Sequence, residues 1–148
     1  YAKVHLSHKR HNGFFMAPLH DASTQQFLTD NAARPQVTTT ASGLQYEVLE
    51  AGSGGARPGP RSMVVTHYHG TLVDGTVFDS SVTRGEPATF GVHQVIPAWT
   101  EALQLMMVGA KWRIACPPQL AYGERGAGGV IGPNAALVFE IHLLDIQG

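Results

Sequence analysis

The sequence predicts an α+β domain in which one helix covers a face of a four- or five-stranded antiparallel sheet. Three features predict this fold: short segments with the two-residue period of β-strands, a hairpin turn at Asp74-Gly75, and a single amphipathic helix over residues 99–106. A lone helix beside antiparallel strands has to bury its apolar stripe against the sheet, which defines the α+β class.

The N-terminal segment, residues 1–20, differs in composition from the rest of the chain. It carries basic residues without any acid, and its apolar patch Phe14-Phe15-Met16 has no regular period. We therefore expect an arm that docks on a partner protein. Its histidines His5, His8 and His11 could also bind a metal, but no acid or cysteine lies nearby to support them, and we predict no metal site.

Residues 21–42 are expected to form a short helix and a linker. Asp21 or Ser23 can cap a helix over residues 24–33. The Arg-Pro pair that follows ends this helix. The threonine-rich stretch after the pair is typical of a linker. Residues 43–148 then form the predicted domain.

The domain begins with strand patterns. Leu44, Tyr46 and Val48 alternate with polar residues, as in a strand with one buried face. Residues 51–62 are rich in glycine and proline and predict a loop. Residues 63–69 are β-branched or aromatic and predict the next strand.

The middle of the domain combines a hairpin with the helix. Asp74-Gly75 is flanked by apolar residues and predicts a tight turn. Residues 80–87 predict an irregular crossing. Trp99–Met106 predicts a helix that is entered through Pro97 and stops at Gly109.

Two strands and a loop complete the domain. Residues 111–116 and 136–146 predict strands, and residues 117–134, with five glycines, predict a long loop between them. Four residues of the last strand face one way: Leu137, Phe139, Ile141 and Leu143.

Composition excludes several classes of function. A net charge of −1 provides no basic surface for nucleic acid, and no run of 18 apolar residues exists to span a membrane. The single cysteine, Cys116, excludes an internal disulfide and a cysteine-based zinc site, and its apolar neighbours predict a buried thiol. No nucleotide-binding loop or serine-hydrolase motif occurs.

The residues that remain indicate a binding pocket. Phe78-Asp79 sets an aromatic ring beside a carboxylate, and the short apolar run Val95-Ile96 leads to the indole of Trp99. An apolar floor, an aromatic wall and one acid suit a site that binds an apolar peptide segment and acts on its conformation.

Six motifs in order resemble the FKBP-type peptidyl-prolyl isomerases, in particular the bacterial branch related to macrophage infectivity potentiator. They are GLQYEVL, HYHGTLVDGTVFDSS, RGEP, VIPAWTEAL, LAYGERG and LVFEIHLLDI, and the resemblance runs from about Val37 to Ile146. It implies a five- to six-stranded antiparallel sheet wrapped around one helix. It also implies cis–trans isomerisation of X–Pro bonds in proline-containing polypeptides, binding of the macrolides tacrolimus and rapamycin, and no cofactor.

The resemblance also implies roles for individual residues. Trp99 resembles the floor that receives the proline ring, and Tyr122 the hydroxyl that donates to a substrate carbonyl. Asp79 resembles the carboxylate that faces the twisting amide, and Arg84 its charged neighbour. Ile131 belongs to the flap beside the pocket. The pocket walls are implied to be Tyr68, Phe78, Phe90, Val95, Ile96 and Phe139.

Two substitutions leave a second interpretation open. Ala98 stands where the family usually has glycine, and Gly132 replaces the first proline of the usual Ile-Pro-Pro. The alternative function is a weakly catalytic or non-catalytic subunit that joins a larger assembly through residues 1–20. The compartment is open at this level: bacterial cytoplasm or periplasm, or an organelle lumen after removal of a targeting segment.

Overall fold

The structure is a computed structural model in which residues 17–147 are described. Within them lie three α-helices: α1 Ala17–Ala32, α2 Ser81–Arg84 and α3 Pro97–Leu105. The same residues form seven strands: β1 Thr38–Thr39, β2 Gln45–Glu50, β3 Met63–Leu72, β4 Val77–Ser80, β5 Ala88–Gly91, β6 Lys111–Cys116 and β7 Leu137–Ile146.

All strand pairs form one antiparallel sheet, which confirms the α+β class. The order is β1-β2-β6-β7-β3-β4, and β5 pairs with the first half of β3 on the same edge as β4. The long strands β3 and β7 run side by side from Val64↔Ile146 to Leu72↔Leu137. The strand number exceeds the predicted one because the two-residue β1 lies in the expected linker and β5 has no alternating pattern.

Helix α3 covers the apolar face of the sheet, as predicted. Trp99, Leu103 and Met106 are buried, and so are the four inward residues of β7. Burying one such side chain contributes about 1.5–3 kcal/mol. Pro97 is the first residue of α3, where its missing N–H leaves no intrahelical hydrogen bond unmade.

The predicted hairpin joins β3 to β4. The Leu72 amide donates to the Thr76 carbonyl at 2.9 Å, and Asp74 accepts from the Thr76 amide at 2.9 Å. Gly75 has a φ of 92°, which a residue with a Cβ rarely adopts. This turn places Asp79 opposite Gly70, near the end of β3, with Phe78 next to it.

The expectation of an irregular crossing over residues 80–87 is wrong in its first half, because Ser81–Arg84 form helix α2. Ser80 caps it by accepting from the Thr83 amide at 3.1 Å, and Gly85 ends it with a φ of 82°. Four residues are too few to show a helical period in the sequence.

The predicted N-terminal helix starts earlier than expected. It spans Ala17–Ala32 rather than residues 24–33, and Pro18 lies in its first turn, where proline is tolerated. Of the predicted arm, residues 1–16 with His5, His8 and His11 lie outside the described residues, so the arm stays a prediction.

Helix α1 also changes the expected burial of β2. Val48 is 48% exposed, whereas Gln45 is 5% exposed because its amide donates to Leu28 in α1 and accepts from Asn31. The predicted strand is confirmed, but its assignment of buried residues is wrong for Val48 and Gln45. Across the described residues, no helix has both the length and the apolar character needed to span a membrane.

Candidate active site

An aromatic cluster, made of Tyr68, Phe78, Phe90, Trp99 and Phe139, lies between α3 and the sheet. The Trp99 ring meets Tyr68, Phe90 and Phe139 edge to face, with centroids 5.3, 5.4 and 5.3 Å away. Phe78 meets Phe139 in the same way at 5.5 Å. Each such pair stabilises the arrangement by about 0.5–1.5 kcal/mol beyond burial, so the rings are held in a fixed orientation.

Trp99 forms the floor of this cluster. Its side chain is 1% exposed, while Phe90 above it is only partly buried. The indole Nε1 is buried and has no hydrogen-bond partner within residues 17–147. The Trp99 indole is thus buried in contact with the partly buried ring of Phe90.

Gly70 in β3 makes the ring packing possible. A Cβ at this position would lie 2.7 Å from Phe78 Cζ and 2.9 Å from Phe139 Cε1, closer than carbon atoms can approach. The sequence analysis did not select Gly70. The available signal was a glycine inside an otherwise continuous strand pattern. Such a glycine often marks a place where another group lies close to the strand backbone.

A buried carboxylate adjoins the aromatic cluster. Asp79 accepts from the Tyr68 hydroxyl at 2.8 Å and pairs with the Arg84 guanidinium at 2.6 Å. Arg84 also donates to the Tyr68 oxygen at 3.0 Å, which closes a three-membered network. The side chain of Asp79 is 1% exposed and that of Arg84 is 42% exposed, so the ion pair extends from the interior to the surface.

Burial fixes the protonation of the phenol in this network. Burial, together with the adjacent Asp79 and against the opposing effect of Arg84, raises the pKa of Tyr68 to about 12. The hydrogen bonds to Tyr68 and Asp79 raise the pKa of Arg84 above its ordinary value. At neutral pH Tyr68 is a neutral donor and Arg84 is a cation.

Two serines position Asp79, and the sequence analysis did not assign them this role. Ser81 accepts from the Tyr68 amide at 2.7 Å, and Ser80 lies 2.9 Å from His69 Nδ1. Both serines are buried, and they fasten the start of α2 to β3. The Asp-Ser-Ser sequence after the hairpin was the available signal, because serine hydroxyls commonly cap helices and turns.

The loop after β6 brings Tyr122 and Ile131 to the site. Tyr122 is partly buried, and burial together with the charge of Asp79 raises its pKa to about 12. Ile131 is 3% exposed and belongs to the same apolar core as the cluster. The neutral Tyr122 hydroxyl is thus available as a donor next to the carboxylate.

The remaining predicted residues lie before α3 or beneath the site. Val95 and Ile96 are buried in the core that contains Trp99, at 5% and 0% exposure. Cys116 is also fully buried, and burial raises the pKa of its thiol, so it is a structural residue as predicted. No group of three or more potential metal ligands occurs among residues 17–147.

The geometry suits binding and reorientation of an apolar group. It offers a rigid aromatic floor, a neutral hydroxyl at Tyr122, and the fixed negative charge of Asp79. An antiparallel sheet covered by one helix, with an aromatic cluster and a buried carboxylate between them, defines a domain of the FKBP type.

Comparison with known proteins identifies the family. The model of the FKBP-type peptidyl-prolyl cis-trans isomerase family matches residues 54–144. The model of the domain amino terminal to FKBP-type peptidyl-prolyl isomerase matches residues 16–48. The chain belongs to the FKBP-type peptidyl-prolyl cis-trans isomerase family.

Two bacterial proteins are among the relatives of this chain. The chain is 52% identical over 126 residues to the outer membrane protein MIP of Legionella longbeachae, covering 85% of this chain and 54% of that protein. It is 55% identical over 121 residues to the FKBP-type 22 kDa peptidyl-prolyl cis-trans isomerase of Escherichia coli, covering 82% of this chain and 58% of that protein.

A solved structure agrees with the fold. The crystal structure of FkpA from Escherichia coli superposes with a TM-score of 0.84 at 43% identity, covering 88% of this chain and 61% of that one. The chain spans little more than half the length of the two curated relatives described above.

Proposed function

We propose that the chain is a peptidyl-prolyl cis-trans isomerase that accelerates rotation about X–Pro bonds and so assists protein folding. The aromatic cluster around Trp99 carries this proposal, because it sets apolar rings next to the buried Asp79–Arg84 ion pair. The isomerase names of the similar proteins support it over a non-catalytic role for the domain.

The chemistry requires no covalent step. An X–Pro bond resists rotation with a barrier of about 18–20 kcal/mol that arises from amide resonance. Water stabilises the planar amide, which is more polar than the twisted one. A dry aromatic surface removes this solvation and so favours the twisted amide, which is preferential binding of the transition state.

We propose that the residues divide this work as follows. Trp99 receives the proline ring, Tyr122 donates to a substrate carbonyl, and Asp79 faces the rotating amide. Arg84 holds Asp79 in its ionised form and in a fixed orientation, supported by their 2.6 Å contact. The walls of the site are Tyr68, Phe78, Phe90, Val95, Ile96, Ile131 and Phe139.

The proposed ligands follow from this surface. Substrates are unfolded or extended polypeptides with an apolar residue before proline, because both side chains then lie on apolar walls. Macrolides of the tacrolimus and rapamycin type, which the family binds, would occupy the same surface and compete with the substrate.

A peptide isomerisation assay tests the proposal. We expect the chain to accelerate exchange of a Leu-Pro peptide and tacrolimus to inhibit it. Tyr122→Phe should lower kcat/KM about tenfold through loss of one hydrogen bond in the transition state. Tyr46→Phe is the matched control, because Tyr46 stacks on Trp112 at 4.1 Å, away from Asp79. No acceleration by the wild-type chain would contradict the proposal.

Residues 17–20 of the predicted arm belong to α1, and we further propose that residues 1–16 dock on a partner protein in the bacterial cytoplasm or periplasm. The unpatterned Phe14-Phe15-Met16 segment supports this proposal. Deleting residues 1–16, which leaves helix α1 intact, should preserve isomerisation and abolish co-purification with the partner. Loss of isomerisation together with stability would assign these residues to the domain instead.

A further inference from the structure

Helix α1 contacts the loop of the candidate site through one buried side chain. Thr24 is 2% exposed, although its neighbours Ser23 and Gln25 are exposed. Its hydroxyl donates to the Asn134 carbonyl at 2.9 Å and accepts from the Ala136 amide at 3.1 Å. One hydroxyl thereby satisfies two backbone groups more than a hundred residues away, where an aliphatic side chain would leave both unpaired.

The backbone that Thr24 holds is in an uncommon conformation. Asn134 has a φ of 54°, and among residues 17–147 it is the one non-glycine residue with a positive φ. Such a conformation persists only where surrounding contacts fix it. The Asn134 amide donates to the Gly123 carbonyl at 2.9 Å, so the clamped residue is bonded directly to the neighbour of Tyr122.

The loop between these points is a hydrogen-bonded unit. Ala127 and Ile131 exchange two backbone hydrogen bonds of 2.9 and 3.0 Å, and the Gly126 amide donates to the Tyr122 carbonyl at 3.2 Å. A cavity of about 120 Å³ lies beside Thr24 and is bordered by Gly132 and Ala135. On the side of this cavity, the hydrogen bonds of Thr24 tie the loop to α1.

We propose that Thr24 is a positioning residue for the isomerase reaction, which holds Tyr122 and Ile131 in place through Asn134. The link runs from the Thr24 hydroxyl to the Asn134 carbonyl, through the Asn134 amide to Gly123, and from there to the adjacent Tyr122. Helix α1 is then a part of the working site. The inference rests on the proposed function, since its effect on rate requires an active isomerase.

Thr24→Val and Thr24→Ser test the hydroxyl. Valine has nearly the same shape without the hydrogen bonds, and serine keeps them, so we expect kcat/KM to fall about threefold to tenfold in the valine variant and to stay near wild type in the serine variant. In Thr24→Val, the amides of Asn134 and Ile131 should exchange with solvent faster than in wild type. Ser23→Ala, an exposed neighbour on the same helix, should change neither quantity.

A double-mutant cycle separates positioning from plain stabilisation. If Thr24 acts through Tyr122, Thr24→Val should reduce kcat/KM much less in a Tyr122→Phe background than in wild type. Additive effects, wild-type kcat/KM in Thr24→Val, or a Thr24→Ser variant as slow as Thr24→Val would each overturn the proposal.

Two further outcomes are decisive. If Thr24→Val does not fold, Thr24→Ala takes its place: faster amide exchange at Asn134 than in Thr24→Ser supports the clamp, and equal exchange in the two variants overturns it. If the wild-type chain is inactive on X–Pro peptides, the proposed function and the kinetic role of Thr24 fall together. Amide exchange in the two Thr24 variants then decides separately whether the clamp exists.

Discussion

At the scale of single residues, Asp79 is almost completely buried and forms an ion pair with Arg84. A carboxylate with a 1% exposed side chain is costly to ionise unless it is paired, and Arg84 and Tyr68 supply that pairing. Because Arg84 is 42% exposed, water can solvate it when the pair is broken. The charge of Asp79 can therefore be removed with less damage to the fold than for a fully buried pair.

Asp79→Asn should lower catalysis while the domain stays folded. Asparagine keeps an acceptor for Tyr68 but removes the charge, so we expect kcat/KM to fall about tenfold, equivalent to about 1.4 kcal/mol of transition-state stabilisation. Circular dichroism should remain that of the wild type. The control is Asp145→Asn at an exposed position of β7. Equal activity in Asp79→Asn and wild type would show that the charge has no part in the reaction.

Thr66 offers a residue-scale test outside the site. Its hydroxyl is buried in β3 and has no hydrogen-bond partner among the described residues. An unsatisfied buried hydroxyl costs about 1–3 kcal/mol, and valine fills the same volume without it. Thr66→Val should therefore raise the unfolding free energy by about 1 kcal/mol and the Tm by about 2–4 °C.

The exposed Thr89 of β5, directly across from Val65, provides the control for Thr66→Val. Thr89→Val should change the unfolding free energy by less than about 0.5 kcal/mol. A loss of stability in Thr66→Val would mean that the hydroxyl has a partner after all, such as a bound water.

The structure brings together residues that separate motifs predicted for the site. Phe78, Asp79, Trp99 and Tyr122 all lie at one site, although no single motif contains them. Thr24 could not be predicted, because a threonine on a polar helix has no pattern that distinguishes a buried hydroxyl from an exposed one. Its role depends on a partner at Asn134, and sequence separation hides that contact.

At the scale of elements, α1 is joined to the domain by polar contacts. Gln45 donates to the Leu28 carbonyl at 3.0 Å and accepts from Asn31 at 2.8 Å, and Arg34 pairs with Glu47 at 2.9 Å. The apolar residues of α1 do not form a regular stripe. This explains why the helix start was predicted seven residues too late: hydrophobic period gave no signal for the first turns.

Gln45→Ala should loosen α1 from the sheet. It removes the side-chain bond to the Leu28 carbonyl and leaves the Asn31 side-chain amide without its Gln45 acceptor at a partly buried position, at a cost of about 1–3 kcal/mol. We expect faster amide exchange throughout α1, with protection of the central strands β3 and β7 unchanged. Gln36→Ala, at an exposed position of the linker, is the matched control. Unchanged exchange in α1 would show that other contacts hold the helix.

Elements with a strong pattern or a defined turn were predictable, and short ones were not. β6 and β7 alternate clearly, and Asp74-Gly75 specifies its turn by backbone conformation alone. β1, α2 and β5 have two to four residues each. β1 pairs with β2 and β5 with β3, and α2 is held to β3 through Ser81. Tertiary contacts rather than local preference determine such segments.

At the scale of the whole molecule, the site brings together residues from most of the sheet and from α3. Trp99 lies in α3, Tyr68 in β3, Phe139 in β7 and Asp79 in β4, so folding of the entire domain is needed to assemble it. The same folding buries the Tyr68 phenol and partly buries the Tyr122 phenol. Their ionisation is therefore coupled to the stability of the domain.

The unfolding free energy should fall as the pH rises from about 10 to 12. The pKa values of Tyr68 and Tyr122 are raised to about 12 in the folded chain, against 10.0 in the unfolded chain. The folded state therefore holds more protons in this window. The contribution of the two phenols to stability is complete below pH 10 and is lost as the pH passes about 12.

Urea unfolding of the wild type and of a Tyr68→Phe, Tyr122→Phe double variant, at several pH values from about 8 to 12, measures this coupling. The variant has no phenol to ionise at either position, so the difference in unfolding free energy between the two proteins should be constant up to about pH 10 and should turn against the wild type above it. Absorbance titration of the folded wild type and of each single variant isolates the signal of one phenol as the difference between the two. That difference should rise near pH 12. Titration of both phenols near pH 10 in the folded state would contradict their burial at the site.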